Sequence, residues 1–284
     1  MRNKLTAVAA AGMLSLCSMA PALAGSVTQP GETIGIATGA PLPPGFYFVN
    51  TADWGCRDTD PDNTCFGVTI PVLAWSTPWK ILGARLQFLA ATPAIESGVV
   101  NGGPYDASWY NPAVFGQLAW DLGGGWGVSY LIGAYFEYHS SVAFDSTSLN
   151  QRLAVSYTKH GWNITANLIY GTHFDEVSGR AQTSPCPDLS GRGCNPDFLN
   201  LDLTFTKTWG KWEFGPVAFG SWDVSEPIDI YQQQRQFAVG GLVGYDFGAV
   251  KLQAYVTTDV TQDNYGGYDT RGWTRIILPL SKLQ

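Results

Sequence analysis

A two-residue alternation sustained over about ten residues at a time constrains this chain more than any other feature. In 199–209, LNLDLTFTKTW, Leu199, Leu201, Leu203 and Phe205 fall on one side, and Asn200, Asp202, Thr204 and Thr206 on the other. A period of two over that length describes a strand with two differently solvated faces. The pattern returns in 149–158, where Leu149, Gln151, Leu153, Val155 and Tyr157 oppose Asn150, Arg152, Ala154, Ser156 and Thr158. It returns again in 162–170 and in 250–259. Globular strands average about 5–6 residues, whereas strands of about 9–11 fit a tilted bilayer crossing.

Twelve segments read as strands: 45–53, 66–77, 79–90, 113–122, 125–138, 149–159, 161–171, 199–209, 211–222, 236–247, 249–259 and 272–280. The connections after the even-numbered ones are tight (STPW, DLGGGW, KHGW, WGKW, DFGA), and those after the odd-numbered ones are long and polar. A soluble sandwich has no reason to keep one end short. An outer-membrane barrel has short periplasmic turns and long extracellular loops. Aromatics gather at strand ends: Trp75, Trp79, Trp120, Trp126, Trp162, Trp209 and Trp212 at the tight turns, and Tyr138, Tyr170, Phe198, Trp222 and Trp273 near the other end. Such belts bracket an apolar band. The sequence therefore predicts an all-β, transmembrane, antiparallel up-and-down barrel of twelve strands in the bacterial outer membrane, its backbone groups satisfied by closure.

The amino terminus fits that destination. Arg2 and Lys4 precede the apolar run Leu5–Leu16, and Ala22-Leu23-Ala24 offers a small-residue cleavage pattern, so 1–24 reads as a signal peptide. Residues 25–44, rich in Gly, Pro and Thr, either hang in the periplasm or enter the lumen as a plug, and 45–284 form the barrel. In an exported chain the close pairs Cys56/Cys65 and Cys186/Cys194 predict two short loop disulfides. A formal net charge of −7 argues against nucleic acid as a partner.

Three stretches resemble a known family. They are Leu42-Pro43-Pro44-Gly45 before Phe46-Tyr47-Phe48, the segment NPAVFGQLAWDLGGGWGVSYLIGAYF (111–136), and the closing hairpin VGGLVGYDFGAVKLQAYVTTDVTQDNYGG (239–267). Together they are similar to the outer-membrane proteins named for the meta-pathway of phenol degradation. That resemblance implies a channel or uptake protein for hydrophobic or aromatic compounds, and it carries over no set of functional residues. Many outer-membrane barrels finish on an aromatic, whereas this chain ends Ser281-Lys282-Leu283-Gln284, which leaves either a different closing strand or a short tail.

The alternation points Arg85, Gln87, Gln117, Asp121, Glu137, Asn150, Arg152, Asn163, Asn167, Asp202, Lys251, Gln253 and Tyr255 into the lumen. They form either a charge- and size-selective constriction or a bonded interior that stabilises the barrel. Tyr135 and Tyr255 offer stacking faces for an aromatic solute. Asp58, Asp60 and Asp62 mimic the front of a calcium loop, but Asn63 and Thr69 stand where glycine and glutamate belong, so a solvated acidic loop and no metal is expected. His139 and Ser141 share a face in the manner of a base and a nucleophile. They point away from lipid and lack an orienting partner, so an outer-membrane lipid hydrolase is the least favoured reading and no enzyme or cofactor is expected. The expected function is passive uptake of small, aromatic or hydrophobic molecules. A structural or adhesive barrel with acidic loops is the alternative. The expected surroundings are outer-membrane lipid, lipopolysaccharide and the barrel-assembly machinery.

Overall fold

The computed structural model describes residues 26–60, 62–99, 106–140, 142, 146–174, 195–226 and 232–282. The signal peptide 1–24, Cys186, Cys194 and Ser141 lie outside the described residues. Twelve antiparallel strands make the ring: β1 (Gly45–Arg57), β2 (Thr64–Ile81), β3 (Ala84–Ala91), β6 (Ala113–Gly123), β7 (Trp126–Tyr135), β8 (Ser148–Tyr157), β9 (Trp162–His173), β10 (Phe198–Trp209), β11 (Trp212–Asp223), β12 (Arg235–Asp246), β13 (Lys251–Asp263) and β14 (Asp269–Lys282). Each pairs with its neighbours in order, and β1 closes the ring against β14 from Gly45↔Lys282 to Arg57↔Asp269. The closing strand thus runs to Lys282. Two short strands, β4 (Ala94–Val99) and β5 (Asp106–Trp109), form a hairpin that extends the extracellular end of β2.

The alternation sets the faces as expected. In β10, Phe198, Asn200, Asp202, Thr204 and Thr206 are buried, while Leu199, Leu201, Leu203 and Phe205 lie on the outer side. Outward apolar residues such as Leu73, Val114, Ile132, Leu153, Leu168, Phe214, Val256 and Ile276 give the barrel its hydrocarbon-facing band. Trp79, Trp126, Trp209, Trp212 and Phe247 stand exposed beside the tight turns. Neighbouring rings brace them, with Trp212 against Tyr245 at 4.7 Å and Trp126 against Tyr157 at 5.1 Å.

Four expectations are corrected. First, the turn after β2 is not STPW. The strand continues through 76–79 over a register shift between Ser76 and Lys80, and the chain reverses at Leu82 and Gly83, whose φ values are 52° and 81°. The irregular ladder accommodates Pro78, which has no N–H to give. Second, Phe198 and Trp273 do not join an outer belt; they are 0% and 2% exposed and face inward. Third, the Cys56–Cys65 disulfide is not in a loop but links residues directly opposed across β1 and β2. Fourth, β7 stops at Tyr135, so Glu137 lies past the strand.

Residues 26–40 run inside the ring. Their polar atoms bond to inward side chains of β6, β7, β8, β9, β10, β13 and β14, a set of partners reachable only from within. The segment is a string of tight turns, with Glu32 N donating to Gln29 O, Ile34 N to Gly31 O and Ile36 N to Thr33 O. It descends beside β10, level with Asn200 at Ser26 and Thr28, with Asp202 at Gly31 and Thr33, and with Thr204 at Gly35. Ile34 is wholly buried against Val217, Phe219, Ala238, Leu242, Tyr255 and Trp273. Gly31 and Gly35 have φ near +89° and +83°, and a Cβ at either would lie within 3 Å of a side chain, Phe219 or Leu242. Only glycine meets both demands at little cost.

Candidate functional site

The inside of the barrel is divided. On one side the alternating polar faces of β8, β9, β10 and β13 grip the amino-terminal segment. Asp202 accepts hydrogen bonds from Gly31 N (2.8 Å), Thr33 N (2.9 Å) and Thr33 Oγ1 (2.6 Å). Asn150 donates to Thr28 Oγ1, Asn167 to Thr33 Oγ1, and Asn163 and Gln253 to Gly35 O. Arg152 pairs with Glu32 at 2.7 Å. Arg275 reaches the segment through Glu32 O and Ile34 O, and also holds Thr51 Oγ1, Gln253 Oε1 and Tyr255 OH. Buried polar groups must find partners, and on β8, β9, β10 and β13 most find them in the chain's own leading segment.

On the other side lies a cavity of about 480 Å³. Its wall comes from β1, β2, β3, β6 and β7 and is mainly apolar, with Val49, Ile70, Val72, Leu89, Phe115 and Leu131 facing in. Gln87, Gln117, Ser129 and Thr51 interrupt it, and Thr38, Ala37 and Ile36 of the segment close its inner side. Thr158, Gly161, Trp162 and Thr208, at two of the tight turns, bring it to the periplasmic mouth. Towards the other end, Val27 packs with Tyr110, Ala113, Ile169 and Phe198 in an apolar cluster at the starts of β6 and β10.

The residues expected in the lumen sort into three groups. Gln117, Asn150, Arg152, Asn163, Asn167, Asp202, Gln253 and Tyr255 face in, and each bonds the segment. Lys251 faces in near the periplasmic mouth and pairs with Glu213 at 2.8 Å. Two stand apart. Arg85 donates to Thr77 O beside the Leu82 turn. Glu137 does not line the lumen; its side chain is 39% exposed and lies 3.4 Å from His139. The face of Tyr255 is also taken, stacked on Trp273 at 5.0 Å with its hydroxyl donating to Gly31 O. Tyr135 lines the cavity, edge-on to Phe115.

Sequence reasoning missed Arg275, Glu213 and Glu32. Arg271, Trp273 and Arg275 share one phase of TRGWTRII, and the cost of two arginines facing lipid is the signal that turns that phase inward. Glu32 carries no such signal, because its segment has no period. The apolar half of the lumen was missed too: in 66–77 and 79–90 apolar residues occupy both phases, so the inner face cannot be told from the outer. The acidic loop is held rather than merely solvated, with Asp58 accepting from Tyr268 N and Thr59 donating to Gly266 O. Among the described residues no group of three or more His, Cys, Asp or Glu is arranged to hold a metal ion. The side chain of His139 is 84% exposed.

A closed ring with an apolar exterior, aromatic belts and a polar, partly filled interior is a transmembrane β-barrel of the bacterial outer membrane. Within that class, the family model described as "Putative MetA-pathway of phenol degradation" matches residues 48–276, and the chain belongs to that family. In structure it is similar to an outer membrane channel from Pseudomonas putida F1, with a TM-score of 0.66, 12% identity, and 88% of this chain and 99% of that one covered. The NanC porin gives a TM-score of 0.48 at 12% identity over 81% of this chain and all of the other. The translocator domain of the autotransporter NalP from Neisseria meningitidis gives 0.46 at 7% identity, over 82% and 87%. No curated protein matches the sequence.

Proposed function

We propose that the protein is an outer-membrane channel for passive uptake of small apolar, including aromatic, molecules, and that residues 25–44 act as a plug. The observation that carries this reading is the mainly apolar cavity between the segment and β1–β7, which reaches the periplasmic mouth. Water-filled pores that pass sugars are lined by polar groups. Here most of the polar groups of β8, β9, β10 and β13 are bound to the segment or to one another, and the space left beside it favours solutes that lose little on leaving water. The family match and the likeness to the Pseudomonas putida channel support a channel role.

The test is flux into lipopolysaccharide-containing liposomes carrying the purified protein, comparing small phenolics with sugars of equal size. Phenolics are expected to enter above the protein-free background and sugars hardly at all. Deleting 26–40 is expected to admit sugars and enlarge the single-channel current. Sugars passing the intact protein as fast as phenolics would overturn the reading. An unchanged current after the deletion would overturn the plug.

A further inference from the structure

One edge of the cavity carries polar groups whose bonding is incomplete. Gln87 on β3 and Gln117 on β6 are directly opposed in register and face the cavity, 2% and 9% exposed. Gln87 Nε2 donates to Ser76 Oγ at 3.3 Å, and Gln117 Nε2 donates to Thr38 O at 3.0 Å. Neither carboxamide oxygen accepts a hydrogen bond from a described residue. Next to them, Thr38 Oγ1 is buried and has no hydrogen-bond partner. Leu89, Phe115 and Leu131 surround this edge. Such groups in an apolar wall are costly unless something completes their bonds.

The charges around the cavity restrict what that something is. The cationic side chains facing it are Arg152 and Lys251, and each is already neutralised, by Glu32 at 2.7 Å and by Glu213 at 2.8 Å. A carboxylate entering here would meet carbonyl oxygens and no spare cation, and an uncompensated anion in an apolar site is far costlier than a hydroxyl. A hydroxyl donates once and accepts twice. It matches an edge that offers two free acceptors, the remaining carboxamide N–H groups and a threonine hydroxyl.

We propose that Gln87, Gln117 and Thr38 form a recognition site for an uncharged solute carrying a hydroxyl on an apolar body, and that they discriminate against a carboxylate of the same shape. The proposal rests on the uptake reading above, because it takes the cavity as the place where the solute sits.

The test is equilibrium binding to the full protein in lipid nanodiscs at neutral pH, with empty nanodiscs subtracted. The probes are cyclohexanol, methylcyclohexane and cyclohexanecarboxylate. The parent protein is expected to hold cyclohexanol at least about tenfold more tightly than the carboxylate, the scale of one or two buried hydrogen bonds. The double variant Gln87→Leu/Gln117→Leu is expected to lose roughly tenfold for cyclohexanol and to leave methylcyclohexane unchanged. Thr38→Val, outside the strands and nearly isosteric, is expected to weaken cyclohexanol in the same direction and serves if the double variant fails to fold. Equal binding of alcohol and carboxylate, binding of none of the probes, or parental affinity for cyclohexanol in the folded variants would overturn the proposal. Binding with this pattern but no flux in liposomes would refute uptake and leave the recognition site standing.

Discussion

Asp202 is where the polar half of the lumen grips most firmly. Three donors of one turn, Gly31 N, Thr33 N and Thr33 Oγ1, converge on its two oxygens. Bonds to a charged acceptor are each worth roughly 1.5–3 kcal/mol, so Asp202→Ala is expected to free the segment for a large fraction of the time. In planar bilayers this should appear as frequent steps to a larger current, with the parent remaining in its small-current state. Identical traces would show that the turn is held elsewhere. Arg275 carries a different load, because its fork joins the segment to β1 and β13 as well. Lysine keeps the charge but not the planar fork. Arg275→Lys is therefore expected to cost about 2 kcal/mol or more, read as a lower temperature at which the folded band on an unboiled gel is lost.

At the scale of elements, the segment depends on its glycines, whereas the ring closes by strand pairing alone. Gly31→Val combines an unfavourable positive φ with a clash against the Phe219 ring. It is expected to raise the current much as the deletion does while leaving the folded barrel intact, judged by unboiled gel mobility. The Cys56–Cys65 bridge spans nine residues at the extracellular ends of β1 and β2, where the ladder already pairs the two residues. Cys56→Ser/Cys65→Ser is expected to cost about 2 kcal/mol, at the low end for so short a loop, and to leave the current unchanged. The elements legible in the sequence were those with one polar and one apolar phase. β8, β9, β10 and β13 fall within a few residues of where the alternation puts them. β2 and β3 were misjoined because proline in STPW imitates a turn, and because apolar residues in both phases conceal the register. β4 and β5 lie in a stretch without alternation and had no signal.

For the whole molecule, the inward side chains named from the sequence were mostly placed on the correct face, yet their partners were not legible. A polar inner face reads the same whether it meets water, a solute or a strand-free stretch of the same chain. What distinguishes these is the complementarity of 26–40, with its turns, its glycines and its single buried acid, and that emerges only when the ring closes around it. The outcome is a lumen with a polar half occupied by the protein's own segment and an apolar half left open beside it. That division is tested most directly by Thr33→Cys/Asn167→Cys, a pair in hydrogen-bond contact. The measurement is peptide mapping by mass spectrometry of protein extracted from outer membranes after treatment with a short bifunctional thiol reagent. The 33–167 cross-link is expected in most molecules; both thiols modified singly and never joined, in protein whose gel mobility shows a folded barrel, would contradict the division.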